Sequence, residues 1–349
     1  MDIEKEETVE NILNEIITSA LLVRASDIHI DPTEKYLSVF FRVDGVLRLE
    51  RQFPHALHEG IMLRIKVLAR LPLDDRRKPK DGKFKWFSSD GTLSAEVRVS
   101  MMPTIYGENA VFRLFDPLIS ILTLEELGFI DAHISIIEKA VARQSGLFII
   151  VGPTGSGKTT TLYTLLSYIK KTSRLIVTIE DPVERHIEGI RQIEVGGSNF
   201  IEYVSILRSV LRQDPDVIMI GEIRDKVSAE LAIQSALTGH LVITTLHASS
   251  VFDVKKRLVN MEIAEYLIDS TLVCALSQRL AVKICIYCKE QDADFYKGRG
   301  CLRCGEKGIS GRMVIAEILK EGESLYKDAY HKASLGLIPF FEVIRTSNA

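Results

Sequence analysis

Apolar residues at Val9, Ile12, Leu13, Ile16, Ile17, Ala20 and Leu21 recur with the spacing of one helix face, so residues 8–24 are expected to be helical. The period then changes. Ile28, Ile30, Leu37, Val39, Phe41, Val43 and Val46 mostly alternate, which predicts two short strands with a turn at Asp31-Pro32. Asp44-Gly45 is a further turn signal. Helical spacing returns over 55–71 and stops before Pro72. Alternation through Phe84, Trp86, Ala95, Val97, Val99, Val111 and Phe112 predicts strands across 83–115. Residues 1–116 therefore form an expected small α+β domain.

Asp116-Pro117 begins a connector, and the expected linker is 117–123. A second domain, 124–349, has a different rhythm. Residues 132–142 are expected to be helical, Leu147 to Val151 is a buried strand, and a helix runs to about Lys171. Leu175–Ile179, Val217–Ile220 and Leu241–Thr245 read as further strands, each set off by a helix-length segment. That alternation is the mark of an α/β fold with a mostly parallel sheet. The tail after Glu317 is weakly patterned, and no internal repeat stands out.

Composition changes this picture little. The 349 residues are 46% hydrophobic, enough for two cores. The net charge of -3 argues against a nucleic-acid partner, which usually meets a basic face. The N-terminus, Met1-Asp-Ile-Glu-Lys-Glu-Glu, has no apolar stretch of the secretory kind. Apolar runs such as Leu147–Val151 are far too short to span a bilayer. A cytoplasmic protein is expected, with any membrane association made through a partner.

The chemistry concentrates after Val151. Gly152, Pro153, Thr154, Gly155, Ser156, Gly157, Lys158 and Thr159 complete a P-loop, followed by Thr160, between an apolar strand and a helical run. Glycines let backbone amides close around phosphate oxygens at a helix N-terminus, where the helix dipole favours anions. Lys158 would neutralise β- and γ-phosphate charge, and the Thr159 hydroxyl would bind Mg²⁺. Hydrolysis needs carboxylates as well. The strand Val217–Ile220 ends in Gly221-Glu222, with glycine where a Walker-B aspartate usually stands, so Glu222 must serve Mg²⁺ or water. A second acidic cluster, from Glu180 and Asp181 to Glu184, follows the strand ending at Ile179. Both lie where parallel strands present ligands, at their carboxyl ends.

These segments resemble the secretion ATPases that drive type II secretion and type IV pilus assembly. Thr178-Ile-Glu-Asp-Pro-Val-Glu184 resembles the family's Asp box. The stretch from Leu207 to Asp225 resembles its Walker-B region, and Thr238 to His247 its His box. The likeness extends to Ala25–Pro32, Phe41–Gly45, Arg76–Gly82, Gln278–Leu280 and Gly311-Arg312, so it covers about residues 10–345. It implies a RecA-like ATPase domain behind a PAS-like N-terminal domain, nucleotide bound between them, and a homo-hexameric ring working with an inner-membrane platform protein. It implies that Glu184 orients water, that Glu222 acts near Mg²⁺, and that Glu180 belongs to the nucleotide site. His240 and His247 would contact the phosphate region. Arg98, Arg113, Arg208 and Arg212 match family arginines, suited to the charge of phosphoryl transfer. Full-length relatives often carry a further N-terminal domain for membrane docking.

Four of the five cysteines form Cys285-x2-Cys288-x12-Cys301-x2-Cys304, within an expected element over 283–312. Two such pairs can close a tetrahedral thiolate site that suits structural Zn²⁺. Disulfides, an iron–sulfur cluster or reduced thiols are the alternatives. Assembly-type members of the resembling family carry a similar element. Two rival functions stay open: a RecA-like ATPase acting on DNA, and a nucleotide-gated scaffold that does not hydrolyse ATP.

Overall fold

A computed structural model of the chain describes residues 8–43, 45–74, 77–115, 122–195, 200–319 and 324–347. Its contacts divide the chain into two units between residues 120 and 121. The expected linker, 117–123, falls mostly outside the described residues, as do Asp44 and Arg76.

The first unit contains α1 (Val9–Leu22), β1 (Asp27–Pro32), β2 (Tyr36–Val43), β3 (Val46–Pro54), α2 (His58–Leu68), β4 (Lys80–Phe87), β5 (Ser94–Thr104) and β6 (Gly107–Phe115). Thr8 starts α1 by accepting the Asn11 amide on its hydroxyl at 3.3 Å, a side-chain cap for an otherwise orphaned donor. The strands form one sheet in the order β3-β2-β1-β6-β5-β4, antiparallel at every pairing. α1 and α2 press Ile12, Ile16, Ile17, Ile61 and Ile65 into a core with Ile28, Ile30, Val39, Phe41, Val97 and Phe112. The alternating residues are therefore the inward ones. Two expectations need correction. Asp31-Pro32 is not a turn, because β1 runs through it and the chain reverses over 33–35, where the Thr33 amide donates to the Tyr36 carbonyl and the Tyr36 amide donates to the Thr33 hydroxyl. β3 carries no alternation signal because neither of its faces is covered over most of its length, with Val46, Leu47 and Leu49 all exposed.

The second unit begins with α3 (Leu124–Leu127), α4 (Asp131–Val141), β7 (Gly146–Val151), α5 (Lys158–Lys170), β8 (Ile176–Glu180) and β9 (Arg191–Glu194). It continues with α6 (Phe200–Val210), β10 (Val217–Ile223), α7 (Lys226–Leu237), β11 (Leu241–Leu246), α8 (Phe252–Asn260), α9 (Glu265–Thr271) and β12 (Leu272–Ile284). β13 (Lys289–Asp292), β14 (Phe295–Gly298), β15 (Ile309–Ile318), α10 (Leu325–Ser334) and α11 (Phe340–Ser347) complete it. The main sheet has the order β15-β12-β7-β11-β10-β8-β9 and is parallel except where β15 pairs with β12. Both faces are covered, so β7, β8 and β11 are buried at every residue and read as continuous apolar runs. α3, α4 and α5 pack on one face, with Phe148, Ile150 and Ile243. α6 to α9 pack on the other, with Leu147, Ile149 and Ile218.

The weakly patterned tail is in fact two helices. What obscured them is polar: Asp328 and Lys332 are each 1% exposed and paired at 2.6 Å. Asp328 also accepts the Ala316 amide at 2.7 Å, and Lys332 donates to the Val314 carbonyl at 2.8 Å, which fastens α10 to β15. A buried ion pair reads as surface in a hydropathy pattern.

Candidate active site and metal centre

Because β7, β11, β10 and β8 are parallel neighbours, the segments that leave their carboxyl ends emerge along one sheet edge. Those segments are the P-loop, His247, Gly221-Glu222 and Glu180-Asp181. The register fixes the levels: Val151 lies beside Leu246, and Ile220 beside both Thr244 and Ile179.

The loop after Val151 depends on backbone that side chains would obstruct. Gly152 has φ +148°, and a Cβ there would lie 2.5 Å from the Gln278 carbonyl. Gln278, wholly buried on β12, donates from Nε2 to the Ser156 carbonyl at 2.7 Å and holds the loop from below. Pro153, Thr154 and Gly155 are exposed, as are Thr159 and Thr160 in the first turn of α5. Lys158 Nζ donates to the carbonyls of Gly152 and Pro153 at 2.8 and 2.9 Å. Burial lowers the Lys158 pKa below the ordinary lysine value; the Glu222 charge opposes this and Arg279 adds to it.

Between Ile220 and Ile223, β10 has one more residue than its partner β11. This bulge falls on Gly221-Glu222, and bulges of this kind re-aim side chains. The Thr245 hydroxyl donates to the Gly221 carbonyl at 2.8 Å. The Glu222 carboxylate is half-buried; its Oε2 pairs with His247 Nε2 at 3.1 Å and its Oε1 accepts from Arg224 Nε. Arg224 also reaches Asp181 at 3.5 Å. Glu222 and His247, expected at one site from separate segments, are thus in contact.

Glu180 is placed differently from expectation. It is 5% exposed, and its Oε1 accepts from Thr178 at 2.6 Å and Gln192 at 3.1 Å. Its Oε2 accepts the Tyr163 hydroxyl at 2.5 Å. A carboxylate so engaged holds the fold of the segment. Tyr163, on α5, accepts in turn the amides of Glu184 and Arg185 at 3.0 and 3.2 Å. Burial and the Glu180 carboxylate push the Tyr163 pKa far above the ordinary tyrosine value, so the hydroxyl stays a donor. It uses every hydrogen-bonding position it has, and ties the phosphate helix to the backbone that carries Glu184.

His240 lies elsewhere in this unit. It precedes β11, so it lies at the amino end of the strand, beside Ser235, to whose carbonyl its Nδ1 is 3.0 Å. Six residues of strand put it roughly 20 Å from the edge of the P-loop. Arg212 folds back onto its own segment, donating to the Arg208 carbonyl and the Ser209 hydroxyl, and Arg208 is exposed on α6. Arg98 and Arg113 belong to the first unit, directly opposed on β5 and β6. With Lys83, Asp27 and Arg42 they make one cross-strand row, in which Arg113 donates to Asp27 at 3.1 Å.

Sequence reasoning missed Tyr163, Arg224 and Arg279 as contributors. Arg224 and Arg279 lie inside the family-like stretches 207–225 and 278–280, and Tyr163 left a signal of its own: a tyrosine on a largely apolar helix face needs a partner for its hydroxyl.

The four cysteines converge on a second site. All four sulfurs lie within 4.8 Å of one another, with separations of 3.9 Å (Cys285–Cys301), 3.8 Å (Cys288–Cys304) and 3.7 Å (Cys301–Cys304). A tetrahedral zinc with ~2.3 Å bonds to sulfur has edges of about 3.8 Å, so the donor set fits. The amides of Cys301 and Gly308 each donate to Cys304 Sγ at 3.2 Å. Burial resists charge here, but these amides, together with hydrogen bonds from the Cys301 and Cys288 thiols, overcome it and bring the Cys304 thiol down to about 6. Gly298 and Gly308 cross at the base, where a Cβ on Gly298 would lie 1.8 Å from the Gly308 carbonyl.

A parallel sheet with a P-loop and a Glu–His pair along its carboxyl edge defines a P-loop nucleotide-hydrolase core. Residues 2–336 match the family described as type II/IV secretion system protein, and the chain belongs to that family. It is 39% identical over 334 residues to type II secretion system protein E of Klebsiella pneumoniae, covering 91% of this chain and 67% of that protein. It is 38% identical over 346 residues to the type IV pilus assembly ATPase PilB of Myxococcus xanthus, covering 93% of this chain and 61% of that one. The chain thus spans about two thirds of the length of these relatives. Among solved structures it is similar to the pilus retraction motor PilT with bound ADP, at 25% identity and a TM-score of 0.70, with 97% of each chain covered.

Proposed function

We propose that the chain is the ATP-hydrolysing motor core of a type II secretion or type IV pilus assembly system. The observation that carries this is the shared edge: the P-loop, Glu222 and His247 leave neighbouring parallel strands at the same end. The names of the two relatives supply the process, since one is a type II secretion protein and the other a pilus assembly ATPase.

The amides of Gly152 to Thr159 cradle the phosphates, and Lys158 exchanges its two carbonyl partners for β- and γ-phosphate oxygens. The exposed Thr159 hydroxyl and Glu222 are the groups that would hold Mg²⁺, which when bound neutralises charge building between the β- and γ-phosphates. His247 and Arg224 fix the Glu222 carboxylate. Glu184 orients the attacking water on a backbone fixed by Tyr163. Glu180 acts through that backbone rather than on nucleotide. Cys285, Cys288, Cys301 and Cys304 would hold a structural Zn²⁺, whose part would be to brace this element rather than to react.

The first unit's strand run β2-β1-β6-β5-β4 supports a PAS-like reading, and the second unit supports a RecA-like one. The working assembly is a homo-hexamer at the cytoplasmic face of an inner membrane, coupled to a platform protein. Among the described residues no helix is long and apolar enough to cross a membrane.

The test is phosphate release from ATP with magnesium. Glu222→Gln should bind ATP and release phosphate at least ~100-fold more slowly. Undiminished turnover in that variant would refute its role, and stimulation by single-stranded DNA with a steep salt dependence would replace the motor reading.

A further inference from the structure

β12 also reaches the phosphate-binding edge. It runs parallel to β7 with Ser277 level with Val151, so Gln278 and Arg279 continue beside the phosphate loop as that loop leaves the sheet. The two backbones touch there, since a Cβ on Gly152 would lie 2.5 Å from the Gln278 carbonyl. Successive side chains of a strand point to opposite faces. Gln278 goes beneath the loop, and Arg279 goes the other way. Its Nη2 donates at 2.9 Å to the carbonyl of Ser249, two residues beyond His247, and its Nη1 donates at 3.2 Å to the Gln278 carbonyl. Because β7 lies between β12 and β11, this half-buried side chain spans the carboxyl end of the phosphate strand.

The guanidinium is poorly satisfied where it rests. Both of its acceptors are neutral carbonyls. Its Nε is buried with no hydrogen-bond partner, and among the described residues no carboxylate pairs with it. Glu317 of β15 attracts it, but that carboxylate is itself 6% exposed and accepts the Val251 amide. Lys158 is in the same condition, with its ammonium on the carbonyls of Gly152 and Pro153. Two cations thus stand along one strip of backbone oxygens. Their proximity is felt: burial lowers the Lys158 pKa, Glu222 opposes this, and the Arg279 charge adds to the lowering. Like charges gathered in a partly buried place cost free energy until an anion comes between them.

We propose that Arg279 is a further catalytic residue, a second cation supplied beside Lys158 by the same chain, which leaves the Ser249 carbonyl to bind the terminal phosphate of ATP. A planar guanidinium offers phosphate oxygens paired donors, which an ammonium does not. As the phosphoryl group transfers, charge spreads over its oxygens, and Arg279 meets that charge. This role rests on the ATPase reading, so binding and turnover are measured apart.

The experiment measures, on the full chain with magnesium, phosphate release from ATP and equilibrium binding of ADP and of a non-hydrolysable ATP analogue. Arg279→Ala should lower kcat about 100-fold. It should weaken the analogue about tenfold and leave ADP within about threefold of wild type. Arg279→Lys keeps the charge without the fork, and its kcat should stay within about tenfold of wild type. Millimolar guanidinium should raise the turnover of Arg279→Ala about fivefold or more. The melting temperature of nucleotide-free Arg279→Ala should not fall, because a charge beside Lys158 has been removed. Turnover of Arg279→Ala within about threefold of wild type overturns the proposal. So does a lowered nucleotide-free melting temperature, with analogue and ADP binding lost together and no rescue by guanidinium, which makes Arg279 a structural tie to Ser249. If the wild type binds the analogue and releases no phosphate, the ATPase reading fails by itself, and Arg279 stands or falls on the difference between analogue and ADP.

Discussion

The phosphate-binding edge and the cysteine module are both sites suited to a divalent metal ion, and they are built in opposite ways. The edge is made of backbone. Its amides come from a loop that glycine geometry forces open, and its side chains are exposed or shared: Thr159 faces outward and Glu222 is held by His247 and Arg224. The module is made of side chains. Four sulfurs close on one another, and three of the four cysteines are buried. A site that must exchange its ligand keeps accessible groups that neighbours only steady. A site that must hold its ligand spends every donor on it.

The contrast can be broken in several places. The largest effect belongs to Lys158→Ala, which should lower ATP turnover by roughly 10³-fold or more while leaving zinc content at one per chain. Loss of zinc in that variant would mean the two sites are not separate. Cys304→Ser should do the reverse: zinc affinity falls by at least ~100-fold, and ATP turnover in vitro stays within about threefold of wild type. Elemental analysis and phosphate release on the same preparations check both. Tyr163→Phe probes how the edge is steadied. It leaves the Glu184 and Arg185 amides without their acceptor, so kcat should fall about tenfold with KM nearly unchanged. A rise in KM alone would make Tyr163 a binding residue rather than a positioning one. The smallest effect is expected from His247→Ala, about threefold in kcat, because Arg224 still holds Glu222.

Much of the edge was legible in the sequence for a physical reason. Buried parallel strands must be apolar throughout, so Leu147–Val151, Val217–Ile220 and Leu241–Thr245 announced themselves, and chemistry placed just after each had to share one edge. The same reasoning puts His240 at the other end of its strand, since it comes before β11 rather than after. The Glu222–His247 contact was not legible, because it depends on strand order and a one-residue bulge. Nor was the burial of Glu180, which is decided by Tyr163, Thr178 and Gln192 folding around it. The cysteine spacing announced a closed site, but the crossing of Gly298 and Gly308 beneath it depends on backbones ten residues apart. The last two helices stayed hidden because Asp328 and Lys332 pair inside the protein.

One buried carboxylate has a consequence for the first unit alone. Glu108 on β6 is gripped by Lys66 of α2 at 2.5 Å and Lys80 of β4 at 2.9 Å, all three nearly inaccessible to solvent. Burial opposes its charge, but the two ammonium groups prevail and hold its pKa below the ordinary glutamate value. A depressed carboxylate contributes its stabilisation above the unfolded-state pKa, and that contribution drains away as acidity climbs through the folded one. The loss begins as the medium falls below the ordinary glutamate value of about 4.5 and completes below the lower folded-state one, where a helix and two strands lose their shared tie, giving this unit its own acid threshold.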